Sequence, residues 1–305
     1  MDIKEFAQQV ADAVQERLGG DCRVEIKEVR RTNNVVLTGL MIRSPSTNIS
    51  PCIYLEEFFQ GFEKGTETVE GMADKIAGSY KEAGLPDRMD ISFFIDYEKA
   101  RKNVRGKLVN TEMNRKLLEA VPHREFLDLS MVYMLLLEEE CDMECSIEIK
   151  NEYLELWDVT EEDLFRDADA NARSDGGTVL KNIVDIIKEA PYGEETAVQA
   201  LDKSFPMYVL TNRRRTYGAV GMLDTETMKA AGKILGGSYY ILPSSVHELI
   251  LLAPSGKAGD VKELEGIVKL INDTEVLEEQ RLGYHIYHYD NESGRITLAA
   301  REGTQ

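Results

Sequence analysis

The sequence predicts a mixed α+β fold of helices and antiparallel hairpins. Three observations point to it: short strand-like runs meet across turn residues, amphipathic helices separate them, and the C-terminal part reads ββαββα followed by a hairpin. Hairpins with helices on one face build an α+β layer, not a doubly wound parallel sheet. At 305 residues, with 43% hydrophobic and 30% charged side chains, the chain can bury a sizeable core without staples.

The elements follow in order. Ile3, Phe6, Val10, Val14 and Leu18 recur at helical spacing, and Gly19-Gly20 stops that helix. Cys22 to Val29 and Val35 to Ile42 read as strands joined through Asn33-Asn34. Ile53 to Phe62 and Val69 to Ala83 read as helices, and Ile91 to Ile95 as a buried strand. A short strand is expected over Lys107 to Val109. Phe126 to Leu137 is uniformly apolar, and its periodicity does not separate strand from buried helix. Cys145 to Lys150 alternates as a strand. Thr160 caps a helix over Glu161 to Asn171, with Asp163 as a first-turn acid short of a full capping box. Val179 to Glu189 is expected to be a second helix.

Ala190-Pro191-Tyr192-Gly193 marks a boundary between an N-terminal α+β domain, 1–190, and a C-terminal one, 195–305. Beyond it, Met207 to Thr211 and Thr216 to Leu223 read as a hairpin closed by Asn212 to Arg215. A helix follows over Thr225 to Leu235. Strands are expected at Ser238 to Leu242 and Leu249 to Ala253, joined by Pro243 to Glu248. Asp260 to Ile271 reads as a helix opened by Asp260 and Glu263. Tyr284 to Tyr289 and Ile296 to Ala299 close the chain as a hairpin.

Charge narrows the function classes. Thirty-six Lys+Arg against 55 Asp+Glu leave a net charge of −19. That field repels phosphate backbones and anionic lipid, so neither nucleic acid nor membrane is an expected partner. Cys22, Cys52, Cys141 and Cys145 are too few and scattered for a disulfide framework. The Cys141-x3-Cys145 pair lacks a second half, so no metal site is expected. The first residues carry charge inside a helical pattern, unlike a signal peptide, and no apolar run reaches membrane-spanning length. The expected location is the cytoplasm.

Several stretches together resemble an uncharacterised bacterial family, domain of unknown function 5688. They are Arg124 to Ser130, Ile147 to Tyr153, Trp157 through Leu164 to Asp169-Ala-Asn171, Tyr208 to Asn212, Tyr217-Gly-Ala219 and Tyr240 to Glu248. The last two are the most specific, and the likeness spans most of the chain. The resemblance implies one shared architecture and supplies no activity or catalytic residue.

Ser244, Ser245, His247 and Glu248 alone gather a nucleophile, a base and an acid in one loop. Acyl transfer needs the base within hydrogen-bond reach of the nucleophile and a third group orienting it. No Gly-x-Ser-x-Gly elbow surrounds either serine, and a turn with Ser245-x-x-Glu248 as a local cap explains the same residues. Pro254-Ser255-Gly256-Lys257-Ala258 sits where a phosphate loop would. Leu251 and Ala258 stand where that motif needs glycine and a hydroxyl. Asp167-x-Asp169-x-Asn171 opens like a calcium loop, but Ala172 and Thr178 replace its glycine and glutamate. His285 and His288, three apart, would face opposite sides of a strand.

Arg213, Arg214 and Arg215 form a basic island suited to an anion or an acidic partner, or to the solvated tip of a hairpin. No cofactor is expected, and the sequence holds no signature of oligomeric state. The first function class is a non-enzymatic interaction or regulatory protein that engages another protein through exposed sheet edges and acidic faces. The alternatives are a hydrolase or transferase using Ser244 or Ser245 with His247 and Glu248, and an acidic DNA-mimicking inhibitor. Whether the chain is an enzyme turns on whether those side chains converge.

Overall fold

A computed structural model describes residues 1–48, 50–83, 91–137, 145–189, 207–254 and 261–299. The chain forms two compact units, Met1–Asp96 with Leu136–Ser146, and Tyr97–Leu135 with Ile147–Gln305. The fold is α+β with antiparallel sheets, as the hairpin pattern predicts.

The first unit opens with α1 (Ile3–Leu18), where Asp2 caps the helix by accepting the Glu5 amide at 2.8 Å. Strands β1 (Arg23–Arg30), β2 (Val36–Arg43) and β3 (Cys52–Tyr54) make an antiparallel sheet in that order. Asn33 and Asn34 turn β1 into β2 at φ +60° and +65°, which asparagine tolerates better than most residues. Helices α2 (Glu56–Glu63) and α3 (Val69–Glu82) complete a core around Phe6, Val10, Leu40, Ile42, Leu55 and Met72. The helix expected from Ile53 begins only at Glu56. Cys52 to Tyr54 pair with Gly39 to Met41 instead, and Gly39 leaves the room that the Cys52 thiol fills. Ile91 to Ile95 is no strand either. Local turn bonds from Phe94 and Ile95 satisfy its backbone, and Ile95 is 73% exposed.

The second unit starts with α4 (Tyr97–Ala100), β4 (Val104–Asn110) and α5 (Arg115–Leu118). Strands β5 (His123–Phe126) and β6 (Leu129–Leu137) resolve the ambiguous apolar run as a hairpin. Leu127 turns it at φ +57°, a conformation costly for a branched side chain. β6 shows no alternation because both faces are buried from Leu129 to Leu136. With β7 (Cys145–Glu148) these strands form a four-stranded sheet, in which β6 lies between β4 and β5.

Next come α6 (Asn151–Trp157) and α7 (Glu161–Ser174). Asp163 does more than expected: its carboxylate accepts the Thr160 amide at 2.9 Å while Thr160 Oγ1 accepts the Asp163 amide at 3.3 Å. A shorter acid thus closes a reciprocal box. The helix expected from Val179 is first a strand, β8 (Thr178–Asn182), whose β-branched start pairs with a later strand. Asn182 then caps α8 (Ile183–Glu189) through the Val184 amide.

Strand β9 (Met207–Asn212) is as expected, but Thr216 to Leu223 is not its hairpin partner. Gly218–Leu223 winds as a 3-10 turn, because Tyr217 at φ +55° folds the chain under the neighbouring strand. Then follow α9 (Thr225–Leu235), β10 (Tyr239–Ser245), β11 (Glu248–Leu252), α10 (Val261–Glu275), β12 (Tyr287–Asp290) and β13 (Arg295–Leu298). The six strands pair in the order β13-β12-β10-β11-β9-β8, so this sheet draws on residues before and after 190–206. The predicted boundary at Ala190 to Gly193 and the Asp260 cap lie outside the described residues.

Replacing Thr160 with alanine removes the amide acceptor of the box. Urea unfolding of T160A should show a loss of about 1 kcal/mol; an unchanged midpoint would mean the cap is idle. Hydrogen bonds from Thr160 and Arg166 lower the Asp163 carboxyl from 3.8 to about 2. Its stabilising share is therefore complete above pH 3.8 and disappears as the pH falls through 2. D163N should flatten that part of the acid-unfolding profile.

Candidate functional site

The Ser-His-Glu residues do not form a loop of their own. Ser244 and Ser245 end β10, Glu248 begins β11, and only Val246 and His247 lie between. Ser245 is buried, and its hydroxyl accepts the His247 backbone amide at 3.1 Å, with no bond to the imidazole. That is a local turn bond, and no hydrogen bond joins the hydroxyl to the ring that would act as its base. His247 Nδ1 instead accepts the Tyr217 amide at 3.3 Å, and the two rings stack at 5.7 Å. This leaves Nε2 as the protonated nitrogen of the neutral ring. Ser244 and Glu248 are half-buried at the strand ends.

What the loop builds is a joint. Thr211 Oγ1 donates to the His247 carbonyl at 2.8 Å, and Lys107 places its ammonium 5.3 Å from the Tyr217 ring centre. Gly218 passes so closely that a Cβ there would lie 2.6 Å from the His247 carbonyl and 2.7 Å from the Asn212 amide. Tyr217-Gly-Ala219 and Tyr240 to Glu248, the two most specific stretches in the sequence, meet at this joint.

Arg213 and Arg214 occupy the turn after β9, and Arg215 closes it at φ +56°. Arg214 Nε lies 3.3 Å from Asp175, which also holds Arg105 at 2.8 Å. Arg213 is exposed, lies against Gly176 and has no ion pair among the described residues.

The other candidates serve packing. Asp167 accepts from Tyr97 at 2.7 Å and Arg101 at 2.9 Å, while Asn171 donates to the carbonyls of Arg101 and Val104. Those side chains clamp α7 and point to no shared ion. His285 precedes β12 and pairs with Asp128 at 2.8 Å, beside the Tyr287 hydroxyl. Burial, with Asp128 close by, pushes the Tyr287 hydroxyl well above its ordinary pKa. His288 sits edge-on to Tyr240. Among the described residues, no group of three or more His, Cys, Asp or Glu could hold a metal ion. Ser255 to Ala258 and Cys141 lie outside the described residues.

A different feature has no motif in the sequence. A cleft of about 400 Å³ is lined by Arg124 to Phe126 of β5 and by Gly294 to Ile296 at β13. Phe165 of α7, with Met222, Leu223 and Met228, supplies apolar walls. Both β5 and β13 are terminal strands of their sheets. Arg124 lies over the Phe165 ring at 3.8 Å and binds Glu161 at 2.9 Å, so its charge is already matched. Arg295, exposed at the rim, has no such partner among the described residues.

The hydrogen-bond alternation of β13 decides what its edge offers. The Ala299 amide donates to the Ile286 carbonyl at 2.8 Å, and the register pairs His288 with Thr297 and Tyr289 with Ile296. Antiparallel alternation makes 286/299, 288/297 and 290/295 the bonded pairs. Ile296 and Leu298 therefore turn their amides and carbonyls away from β12, to the open edge. Ile296 does so beside the apolar cleft.

The site and fold define an α+β protein with an open strand edge above an apolar cleft. The chain belongs to the DUF5688 family of unknown function, whose profile matches residues 3–291. No curated protein and no solved structure matches it.

A Cβ at Gly218 must displace backbone on two sides. G218A should lower stability by about 1 to 3 kcal/mol, read as a fall in the thermal midpoint. A midpoint equal to that of the parent would show that the joint yields.

Proposed function

We propose that this chain is a non-enzymatic interaction protein of the cytoplasm that accepts an extended segment of another protein as an added strand along β13. The observation that carries the reading is the outward amide and carbonyl of Ile296 beside the cleft. An added strand gains main-chain bonds, each worth about 0.5 to 1.5 kcal/mol net, and its alternate side chains enter the cleft. Phe126, Phe165, Met222 and Met228 suit large apolar residues at those positions, and methionine adapts to more than one shape.

The acyl-transfer alternative draws no support from the geometry, since no hydrogen bond joins the buried Ser245 hydroxyl to the His247 ring, whose Nδ1 accepts the Tyr217 amide. A DNA mimic would need a row of free carboxylates. Along α7, Glu161, Asp163, Asp167 and Asp169 are each bound to an arginine.

The test uses proline. Ile296 donates no bond within its sheet, so I296P should fold and keep the β12 ladder while losing the edge donor. Peptides selected from a random library against the parent chain should carry alternating large apolar residues. Fluorescence anisotropy should show them bound at least about tenfold more weakly by I296P and weakened by N-methylation of their own backbone. Undiminished binding to a folded I296P would sink the edge reading, and selection of no peptide would do the same.

A further inference from the structure

We propose that Arg295 selects which strand docks on β13, a role that presupposes docking at that edge, by pairing with a carboxylate one residue away from the side chain that enters the cleft. The partner is then an extended protein segment in which a large apolar residue and an acidic residue are neighbours.

The pleat of β13 fixes where that carboxylate must stand. Successive side chains of a strand point to opposite faces, so Ile296 and Leu298 share one face and Arg295 and Thr297 the other. Cross-strand pairs share a face too. Ile296 pairs with Tyr289, and both line the cleft, while Arg295 pairs with Asp290 and Thr297 with His288. In a strand bonded to the outward amide and carbonyl of Ile296, the residue opposite Ile296 faces the cleft. Its neighbour in sequence stands opposite Arg295, on the other face. Opposed Cβ atoms in an antiparallel pair lie about 4.5 to 5.5 Å apart, within reach of an ion pair. In an antiparallel partner the acid follows the apolar residue; in a parallel one it precedes it.

Arg295 finds no such partner within the second unit. Asp290, opposite it on β12, is turned back to its own loop, where its carboxylate accepts the Ser293 amide at 2.7 Å. Arg295 is exposed and has no hydrogen bond or ion pair among the described residues. Arg124, across the cleft, differs: it holds both Glu161 and Glu162. With 55 acidic side chains against 36 basic ones, the chain has carboxylates to spare, yet none of the described ones meets this arginine. Thr297, the other side chain on that face of β13, is neutral, so the charge selects at a single position. A planar fork of donors suits a carboxylate arriving from the partner.

The peptides selected against the parent chain supply the test, and an acidic residue is expected at a fixed side of their apolar anchor. Anisotropy at about 0.15 M salt compares each peptide with twins carrying the amide or lysine at that acid. The amide twin should bind the parent up to about fivefold more weakly. R295E should weaken the acidic peptide about tenfold and bind the lysine twin better than the parent does, an exchange of preference that damaged folding does not produce. R213E, the same reversal away from β13, should leave the order of the twins unchanged. Peptides that carry no acid, or that bind R295E and the parent alike while still weakened by I296P, would overturn the selection and leave the edge reading standing. So would an R295E whose only change is self-association, the mark of an arginine that merely guards the edge. Failure to select any peptide, or full binding to a folded I296P, would overturn both.

Discussion

The second unit depends on how α7 is held to its four-stranded sheet. Arg101, Arg105 and Arg124 reach Asp167, Asp175 and Glu161, one at each level of the helix. The Tyr97 and Tyr133 hydroxyls add bonds to Asp167 and Glu161. Burial, then the adjoining carboxylate, pushes both phenols up, so each remains a donor at neutral pH. Asp167 is nearly buried, and stripping one partner from such a pair leaves a charge that water cannot reach. The ties therefore act as positional constraints more than as sources of stability. Phe165 stands in the cleft and Asp175 stands at the arginine corner because α7 lies where these bonds put it.

The same ties explain how an acidic helix is held within the second unit. Carboxylates of α7 are bound by arginines, with Arg124 serving both Glu161 and Glu162, and Asn171 adds bonds to two carbonyls without adding charge. Against that pattern, an arginine lacking a carboxylate is informative. Among the described residues, Arg295 is such a residue, and it lies at the rim of the cleft.

Much of the architecture was legible because local rules and tertiary packing agreed. Thr160 read as a cap, Asn33-Asn34 as a turn and Gly19 as a stop, and each does that work. The failures have identifiable causes. Cys52 to Tyr54 and Thr178 to Asn182 look helical beside the true helices that follow them, and only distant strand partners make them strands. Thr216 to Leu223 alternates like a strand, but the close passage of Gly218 beneath His247 forces a turn. At the site, the serine cluster was visible because its residues are neighbours in sequence. The cleft was not, since its walls come from β5, α7, the turn before α9 and β13, which no spacing rule connects. Of the arginines at 213 to 215, Arg214 lies beside Asp175.

An unpaired strand edge has a consequence for the chain's own company. Ile296 and Leu298 could pair with the same edge of a second copy, seeding sheets that grow from molecule to molecule. Edges of this kind are commonly blunted with lysine, proline or a bulge; among residues 295 to 298 only Arg295 is charged. Mutual repulsion between molecules of net charge −19 is then the main colloidal safeguard. Because salt screens that repulsion within about 10 Å at 0.1 M, the open edge ties the solubility of this protein to the ionic strength around it.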